Sequence, residues 1–398
     1  MAVAICMVLG AWAVVYAKAE TKESGAGAIV TSTTVDGAAA TTAAVAETAI
    51  FQKADLFSER DLLQVADLSK ATTYTVSDSE DITITAAGVY VLTGTAKNVT
   101  VAADKEDKVQ LVLDGLDLTN SDAPAIYVKS ADKVFVTTSA DSSLSVTGAF
   151  AADGDAKVDG VIFSKSDLTL NGSATLTISS TKNGIVGKDD VKITGGTYAI
   201  SAKVKAIEAN DSIRIADGTL DLTAGTDGLH AENDEDDSKG YIYIGGGSVT
   251  VNAGDDGIHA ATVVQVDDGT VAVTAAEGIE GTYVQLNGGT VTVSARDDGI
   301  NAAQKSSSYR ATVEVNGGDI TVSMGSGDTD GVDSNGDIIV NGGTIAVTGN
   351  STFDYDGTGQ LNGGTVIVNG QQVTSLPDQF GGNGGRGGWG GNGGRGGH

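Results

Sequence analysis

The sequence predicts an all-β fold, a right-handed single-stranded parallel β-helix with a short N-terminal cap and disordered ends. Three observations carry that expectation. A strand, a glycine turn and a second strand recur along the chain, a turn of the form Asp-Gly-apolar recurs between the copies, and only 2 of 398 residues are proline against 56 glycines. Continuous ladders exclude a residue with no N–H to donate, whereas tight corners need glycine.

The repeat reads VKITGGTYAI from Val191, IRIADGTLDL from Ile213, IYIGGGSVTV from Ile242, VQVDDGTVAV from Val264, VQLNGGTVTV from Val284, VEVNGGDITV from Val313 and IIVNGGTIAV from Ile338. Apolar and polar residues alternate, as in Val284, Leu286, Val291 and Val293 against Gln285, Thr290, Thr292 and Ser294. One side therefore faces a core and the other faces water. A unit this short cannot bury its apolar side alone, so the next copy must stack on it, about 4.8 Å away. The intervening turns begin at Asp227, Asp256, Glu277, Asp298 and Asp330, spaced by 29, 21, 21 and 32 residues. The long spacings place insertions at 232–239 and 303–310. A propeller blade needs about 40 residues per repeat, and a sandwich has no reason to repeat at constant phase.

The flanking elements follow in order. Residues 2–16 (AVAICMVLGAWAVVY) are almost wholly apolar and Ala17-Lys18-Ala19 supplies an A-x-A cleavage site, so 1–19 reads as a secretory signal and the chain as secreted or held at the cell surface. The one cysteine, Cys6, falls in that leader, which leaves disulfides and thiolate chemistry out of the mature chain. Residues 20–56 are an Ala/Thr-rich linker. At 57–70, Ser58 and Asp61 precede Leu62, Leu63 and Val65 in a capping-box arrangement, which predicts a short helix or irregular cap. Looser strands over 82–146, including VQLVLDGLDL from Val109, are the first coils of a single β-helix domain over 57–377. The Gly/Arg-rich tail at 378–398 is expected to be disordered.

Charge excludes several partners. With 52 acidic against 24 basic residues the net charge is -28, which argues against nucleic acid and against membrane insertion once the leader is cleaved. A monomer is expected. Both tryptophans, Trp12 and Trp389, lie outside the repeats, so aliphatic residues build the core.

Stacking converts each repeated residue into a column. The residue before glycine runs Asp227, Asp256, Glu277, Asp298, Asp330, and the residue after the apolar one runs Glu208, His230, His259, Glu280, Asn301, Asp333. Adjacent acidic columns about 5 Å apart repel one another, and hard cations relieve that repulsion. Oxygen-rich clusters suit Ca²⁺, the expected cofactor. Asp189, Asp190 and Asp211, with Asp167 and Asp234, form a second acidic set that follows the turns and can share ligands with the first. The pair His230 and His259 is a lesser, transition-metal candidate. Aspartate beside glycine also closes turns unaided, so the columns have a purely structural reading as well.

No G-x-S-x-G elbow, Walker loop or H-E-x-x-H motif is present. One enzyme reading survives, calcium-assisted β-elimination on a uronic-acid polymer, for which Lys203, Lys205 and Arg296 are the nearby basic residues. The same three residues are candidate glycan contacts, and Tyr241, Tyr243 and Tyr283, with Tyr309, are candidates for a stacking strip.

Several long motifs resemble a known group. DITITAAGVYVLTGTA from Asp81, VQLVLDGLDLTNSDAPAIYVKSADKVFV from Val109, GVIFSKSDLTLNGSATLTI from Gly160, NGIVGKDDVKITGGTY from Asn183 and GYIYIGGGSVTVNAGDDGIHA from Gly240 are similar to the secreted, calcium-binding parallel β-helix proteins of a clostridial carbohydrate-binding family, relatives in fold of pectate lyases. The resemblance implies non-catalytic binding of acidic or cell-wall polysaccharide, polygalacturonate above all and cellulose as a second candidate, with structural Ca²⁺. Two copies depart from the family pattern: Lys205-Ala206 replaces Asp-Gly in one, and Asp167 follows Ser166 where an acidic pair is usual. The alternatives are a calcium-dependent pectate lyase and a structural surface protein or adhesin without a glycan ligand.

Overall fold

The computed structural model describes residues 49–77, 81–154, 157–326 and 329–377. The expected leader at 1–19, most of the linker and the tail at 378–398 lie outside the described residues.

Alternation decides what faces inward. Val284, Leu286, Val291 and Val293 are fully buried, whereas Thr290, Thr292 and Ser294 are exposed. Each inward residue sits on its counterpart in the next repeat: Val191 pairs with Ile213, Ile213 with Ile242, Ile242 with Val264, Val264 with Val284, Val284 with Val313, and Val313 with Ile338. One aliphatic core runs from Val76 to Leu376 as a result. Each such side chain contributes roughly 1.5–3 kcal/mol of burial, so a stack of them holds rungs that could not fold singly.

The strands form a 22-stranded sheet and a 12-stranded sheet. Among the described residues pairing is parallel apart from Thr365–Val368 against Gln371–Val373, which is antiparallel. This connectivity corrects the expected right-handed single-stranded parallel β-helix. Such a helix of short rungs keeps its ladders apart at every corner. Here Lys108–Asn120 and Tyr241–Ala253 each run 13 residues through the corner and pair with strands on both sides of it. A parallel ring therefore closes inside the larger sheet, passing through Lys108–Asn120, Lys133–Ala140, Asp167–Gly172, Asp190–Ile193 and Ser212–Ile215, and returning through Tyr241–Ala253, Thr219–Ala224, Thr197–Ala202, Thr175–Ser180 and Ser142–Val146. The physical reason lies in the glycines. Every glycine pair was expected to break the strand, but in IYIGGGSVTV the corner is absorbed as register shifts at Gly245, with Gly247 at φ 83°.

Of the short helix or irregular cap expected over 57–70, the structure shows the irregular form: one 3-10 turn, Leu68–Lys70, and a hydrogen-bonded turn at Ser58 and Asp61, while among the described residues the α-helical stretch is Lys53–Leu56. Residues 49–64 run as a strap across the outer face of the larger sheet. Ile50 N–H donates to Gln285 Oε1 at 3.1 Å and Phe51 N–H to Gln265 Oε1 at 2.8 Å. Lys53 Nζ donates to the carbonyls of Ala216 and Gly245 at 2.9 and 3.1 Å, and Gln64 bridges Gly172 N–H and the Thr194 carbonyl at 3.0 and 2.9 Å. Gln285 and Gln265, at polar positions expected to face water, are thus 1% and 0% exposed.

A second column explains the recurring Asn-Gly-Gly. The side chains of Asn316, Asn341 and Asn362 each donate to the preceding asparagine, starting at Asn287, at 2.8, 2.8 and 2.9 Å. The amide ladder fixes the corner while the second glycine, for example Gly318 at φ 84°, takes the left-handed turn.

Candidate functional site

The site is the outer face of the smaller sheet and the turns that lead into it. Register places Glu208, His230, His259, Glu280, Asn301, Asp333 and Asp354 in one column, each beside the next. Glycine permits that close stacking. A Cβ at Gly278 would fall 2.2 Å from the Gly299 carbonyl oxygen and 2.3 Å from Val293 Cγ1, so the turn glycine is required by proximity of the neighbouring rung.

The residue before each glycine reaches back to this column. His230 Nδ1 stands 2.9 Å from Asp227 Oδ2, and His259 Nδ1 stands 2.7 Å from Asp256 Oδ2 and 2.8 Å from Glu280 Oε2. Lys305, from the second insertion, reaches Glu280 at 3.0 Å, while Lys205 lies 4.0 Å from Glu208 and 3.9 Å from Asp227. Burial works against the His259 charge, but Asp256 and Glu280 hold its pKa up to about 9. Burial likewise opposes ionisation of Asp227 and Glu280, yet their histidine partners keep both below the usual carboxylate range.

Further along, acids face acids. Burial, with Glu280, Asp256 and Asp298 nearby, pushes the Glu277 carboxyl up to about 7. Burial and the carboxylates of Asp298, Asp354 and Asp330 push Asp333 up to about 7 as well. Asp298 rises to about 6 through burial and its neighbours Asp297 and Asp330, despite a hydrogen bond from Asp330 N–H. Burial first, and the neighbouring carboxylates after it, favour the protonated form of these groups.

A second centre lies beside the histidines. Oxygens of Asp189, Asp190 and Asp211 lie within 4.8 Å of one another. Burial and a hydrogen bond shared with Asp211 raise Asp189 to about 6. Asp211 also takes Lys239 Nζ at 2.6 Å and Asn233 Nδ2 at 2.8 Å, and Arg214 meets Asp190 at 2.7 Å. The acidic insertion folds over to form a recess of about 510 Å³ lined by Asp189, Glu208, Asp211, His230, Glu232 and Lys239, among others. The two insertions touch: Ser307 Oγ donates to Asp237 Oδ2 at 2.6 Å.

The remaining sequence candidates scatter. Tyr243 is completely buried against Leu56 and Phe57 of the strap and donates to Asp267 at 2.8 Å. Tyr241 stacks on Phe51 at 4.3 Å, and Tyr283 donates to Glu314 at 2.9 Å with its ring edge-on to Tyr309. Lys203 is exposed, and Arg296 is hydrogen-bonded to the Gly254 carbonyl. Sequence reasoning passed over Glu232 and Asp354. Glu232 follows His230 by two, at 3.2 Å from its Nε2, and the signal for it was the H-A-E run. Asp354 sits in a last copy, STFD from Ser351, where Ser351-Thr352 stands in place of the Asp-Gly turn, so only the register reveals it.

A parallel repeat fold carrying polar columns and an acidic recess defines a ligand-binding scaffold. A family model described as "Carbohydrate-binding domain-containing protein" matches residues 78–328, and the chain belongs to that family. A "Carbohydrate-binding domain-containing protein" of Acetivibrio thermocellus is 36% identical over 173 residues, which is 42% of this chain and 60% of that relative. The match thus spans 60% of that relative's length, less than two thirds. Among solved structures, the gadolinium derivative of a polysaccharide lyase-like protein from C. thermocellum is 23% identical, with a TM-score of 0.43, covering 75% of this chain and 96% of that one.

Proposed function

We propose that this protein is an extracellular, non-catalytic polysaccharide-binding protein that holds an acidic cell-wall glycan of the polygalacturonate type through Ca²⁺ on its acidic columns. Family membership supports a polysaccharide ligand. The observation that carries the finer reading is the set of half-buried carboxyl groups, Asp189, Glu277, Asp298 and Asp333, all pushed above their ordinary range with no cationic partner close enough to reverse it. Hard oxygen donors in irregular clusters fit Ca²⁺ rather than Mg²⁺, which demands octahedral geometry. A bound dication would supply positive charge on a face that otherwise repels a polyanion, and uronate carboxylates would complete its coordination. Asp189, Asp190 and Asp211 would hold one such ion.

The lyase reading draws less support. Lys205 lines the recess but stands beside Glu208 and Asp227, which favour its charged form, and Arg296 is held by a backbone carbonyl, so neither is a free base. The test is calorimetric titration of metal-stripped protein with polygalacturonate, with and without Ca²⁺, while following absorbance of unsaturated uronide. Calcium-dependent binding without product is the expected result. Product formation would overturn the non-catalytic assignment, and calcium-independent binding would overturn the bridging role of the ion.

A further inference from the structure

His230 and His259 form a pair whose geometry goes beyond charge balance. The chain has 3 histidines, and these two occupy successive positions of one register column. Their rings stack at 4.6 Å with an interplanar angle of 15°. Each is turned the same way by the aspartate three residues before it: Nδ1 of His230 is 2.9 Å from Asp227, and Nδ1 of His259 is 2.7 Å from Asp256. Occupation of Nδ1 by a carboxylate leaves Nε2 as the outward donor of both rings. At that edge stands Glu232, its Oε2 3.2 Å from His230 Nε2, on the rim of the recess. Ligand atoms of His230, Glu232 and His259 all lie within 4.8 Å of one another.

We propose that His230, His259 and Glu232 bind a divalent transition-metal ion of the zinc class, through both imidazole Nε2 atoms and the Glu232 carboxylate. The donor set is the first reason. Two imidazoles and one carboxylate suit zinc and its neighbours, whereas Ca²⁺ takes oxygen donors almost exclusively. Orientation is the second. A ligating histidine characteristically gives its other nitrogen to a carboxylate, which fixes the tautomer and raises the basicity of the ring; His259 is held in that way by Asp256, while His230 Nδ1 lies 2.9 Å from Asp227 but outside hydrogen-bond geometry, a buried nitrogen that a small turn of the ring would pair. Two metal–nitrogen bonds of about 2.0–2.1 Å meeting at a tetrahedral angle put their nitrogens about 3.3 Å apart, so the rings, stacked at 4.6 Å, must tilt together at their Nε2 edges to share an ion. The three protein donors leave a fourth position facing the recess, open to water or a ligand oxygen. This site stands apart from the calcium reading, since it uses nitrogen donors and a group of side chains separate from Asp189, Asp190 and Asp211.

The full chain, stripped of metal, is titrated with Zn²⁺ by calorimetry and with Co²⁺ by visible absorption, each in the presence of millimolar Ca²⁺. The expected result is one Zn²⁺ per chain that Ca²⁺ does not displace, and a Co²⁺ spectrum of mixed nitrogen and oxygen ligation. His230→Asn and His259→Asn are each expected to weaken Zn²⁺ at least about 100-fold, and Glu232→Gln roughly 10-fold or more. Glu232 is exposed, so its variant isolates ligation from folding if a histidine variant loses stability. Zn²⁺ binding that is unchanged in Glu232→Gln and in a folded His230→Asn/His259→Asn double variant would overturn the site, as would an absence of Zn²⁺ binding to the parent chain.

Discussion

Lys133 and Asp61 stand 72 positions apart in the chain and meet at 2.6 Å, both almost entirely shielded from water. Asp61 also accepts from Ser58 N–H and Oγ at 2.9 and 2.8 Å, and from Thr169 at 3.2 Å, while Lys192 stands 3.6 Å away. A carboxylate so fully provided for pins the strap to the sheet. Replacing it by alanine leaves Lys133 buried without its partner, a defect of about 3–5 kcal/mol. Asp61→Ala is therefore expected to lower the thermal midpoint sharply and to open the chain near residue 60 to limited proteolysis, with Asp61→Asn giving a smaller loss.

Acid should release the same contact. Burial works against the Asp61 charge, but Lys133 and the Ser58 N–H hold its pKa down to about 2. A depressed carboxylate stabilises the fold above its unfolded value of about 3.9, and that stabilisation is lost as pH falls toward 2. Exposure of the aromatic residues under the strap, followed by tyrosine fluorescence, is expected to begin in that window and to be absent there in Asp61→Asn.

The acidic columns have the opposite sign. Glu277, Asp298 and Asp333 are raised to about 7, 6 and 7, so the folded state binds protons that the unfolded chain has already lost above pH 4 to 5. Metal-free protein should accordingly lose stability as pH rises from about 4 to 7, and His259, held up to about 9 against an ordinary value near 6.5, adds a loss of the same sign above about pH 6.5. Calcium is expected to flatten that slope. Thermal unfolding at pH 4.5 and 7.5, with chelator and with Ca²⁺, measures it; a slope that Ca²⁺ leaves untouched would remove the cation from the columns.

Charge removal offers an independent check. Asp189→Asn is expected to raise the stability of the metal-free chain, because it relieves repulsion from Asp211 and Asp167, and to weaken Ca²⁺ by about tenfold or more. Paired melting curves and calcium titrations of parent and variant would show both effects or neither.

The turn glycines carry a steric prediction. Gly278→Ala would drive a methyl group against the Gly299 carbonyl and Val293 and is expected to cost about 1–3 kcal/mol, read from chemical denaturation.

The columns were legible because their cause is local: an apolar residue fixed at one phase of each repeat carries its neighbours into register, so His230 and His259 could be paired from spacing alone. The strap was not, since Ile50 and Gln285 meet across 235 positions and neither residue carries a local pattern that names the other. Asp61 looked like a helix cap because Ser-x-x-Asp is one, and only the buried lysines at Lys133 and Lys192 turn it into an anchor. The fused ladders were hidden for a related reason: a glycine triplet that turns the chain and one that lets a strand bend have the same letters. Folding of the acidic insertion over Asp211 likewise depends on Lys239 and Asn233, which read in isolation as ordinary loop residues.

Repeat arrays ordinarily come apart one neighbour at a time, from whichever end is weaker. The strap changes the mechanics of this one. By gripping Lys133 at one end and Gln285 at the other, it sews the intervening rungs together, so that none of them can peel away while the seam holds. Rungs before Lys133 and beyond Gln285 lie outside the stitches, and fraying under load or heat is expected to start at those two ends and to halt where the seam begins.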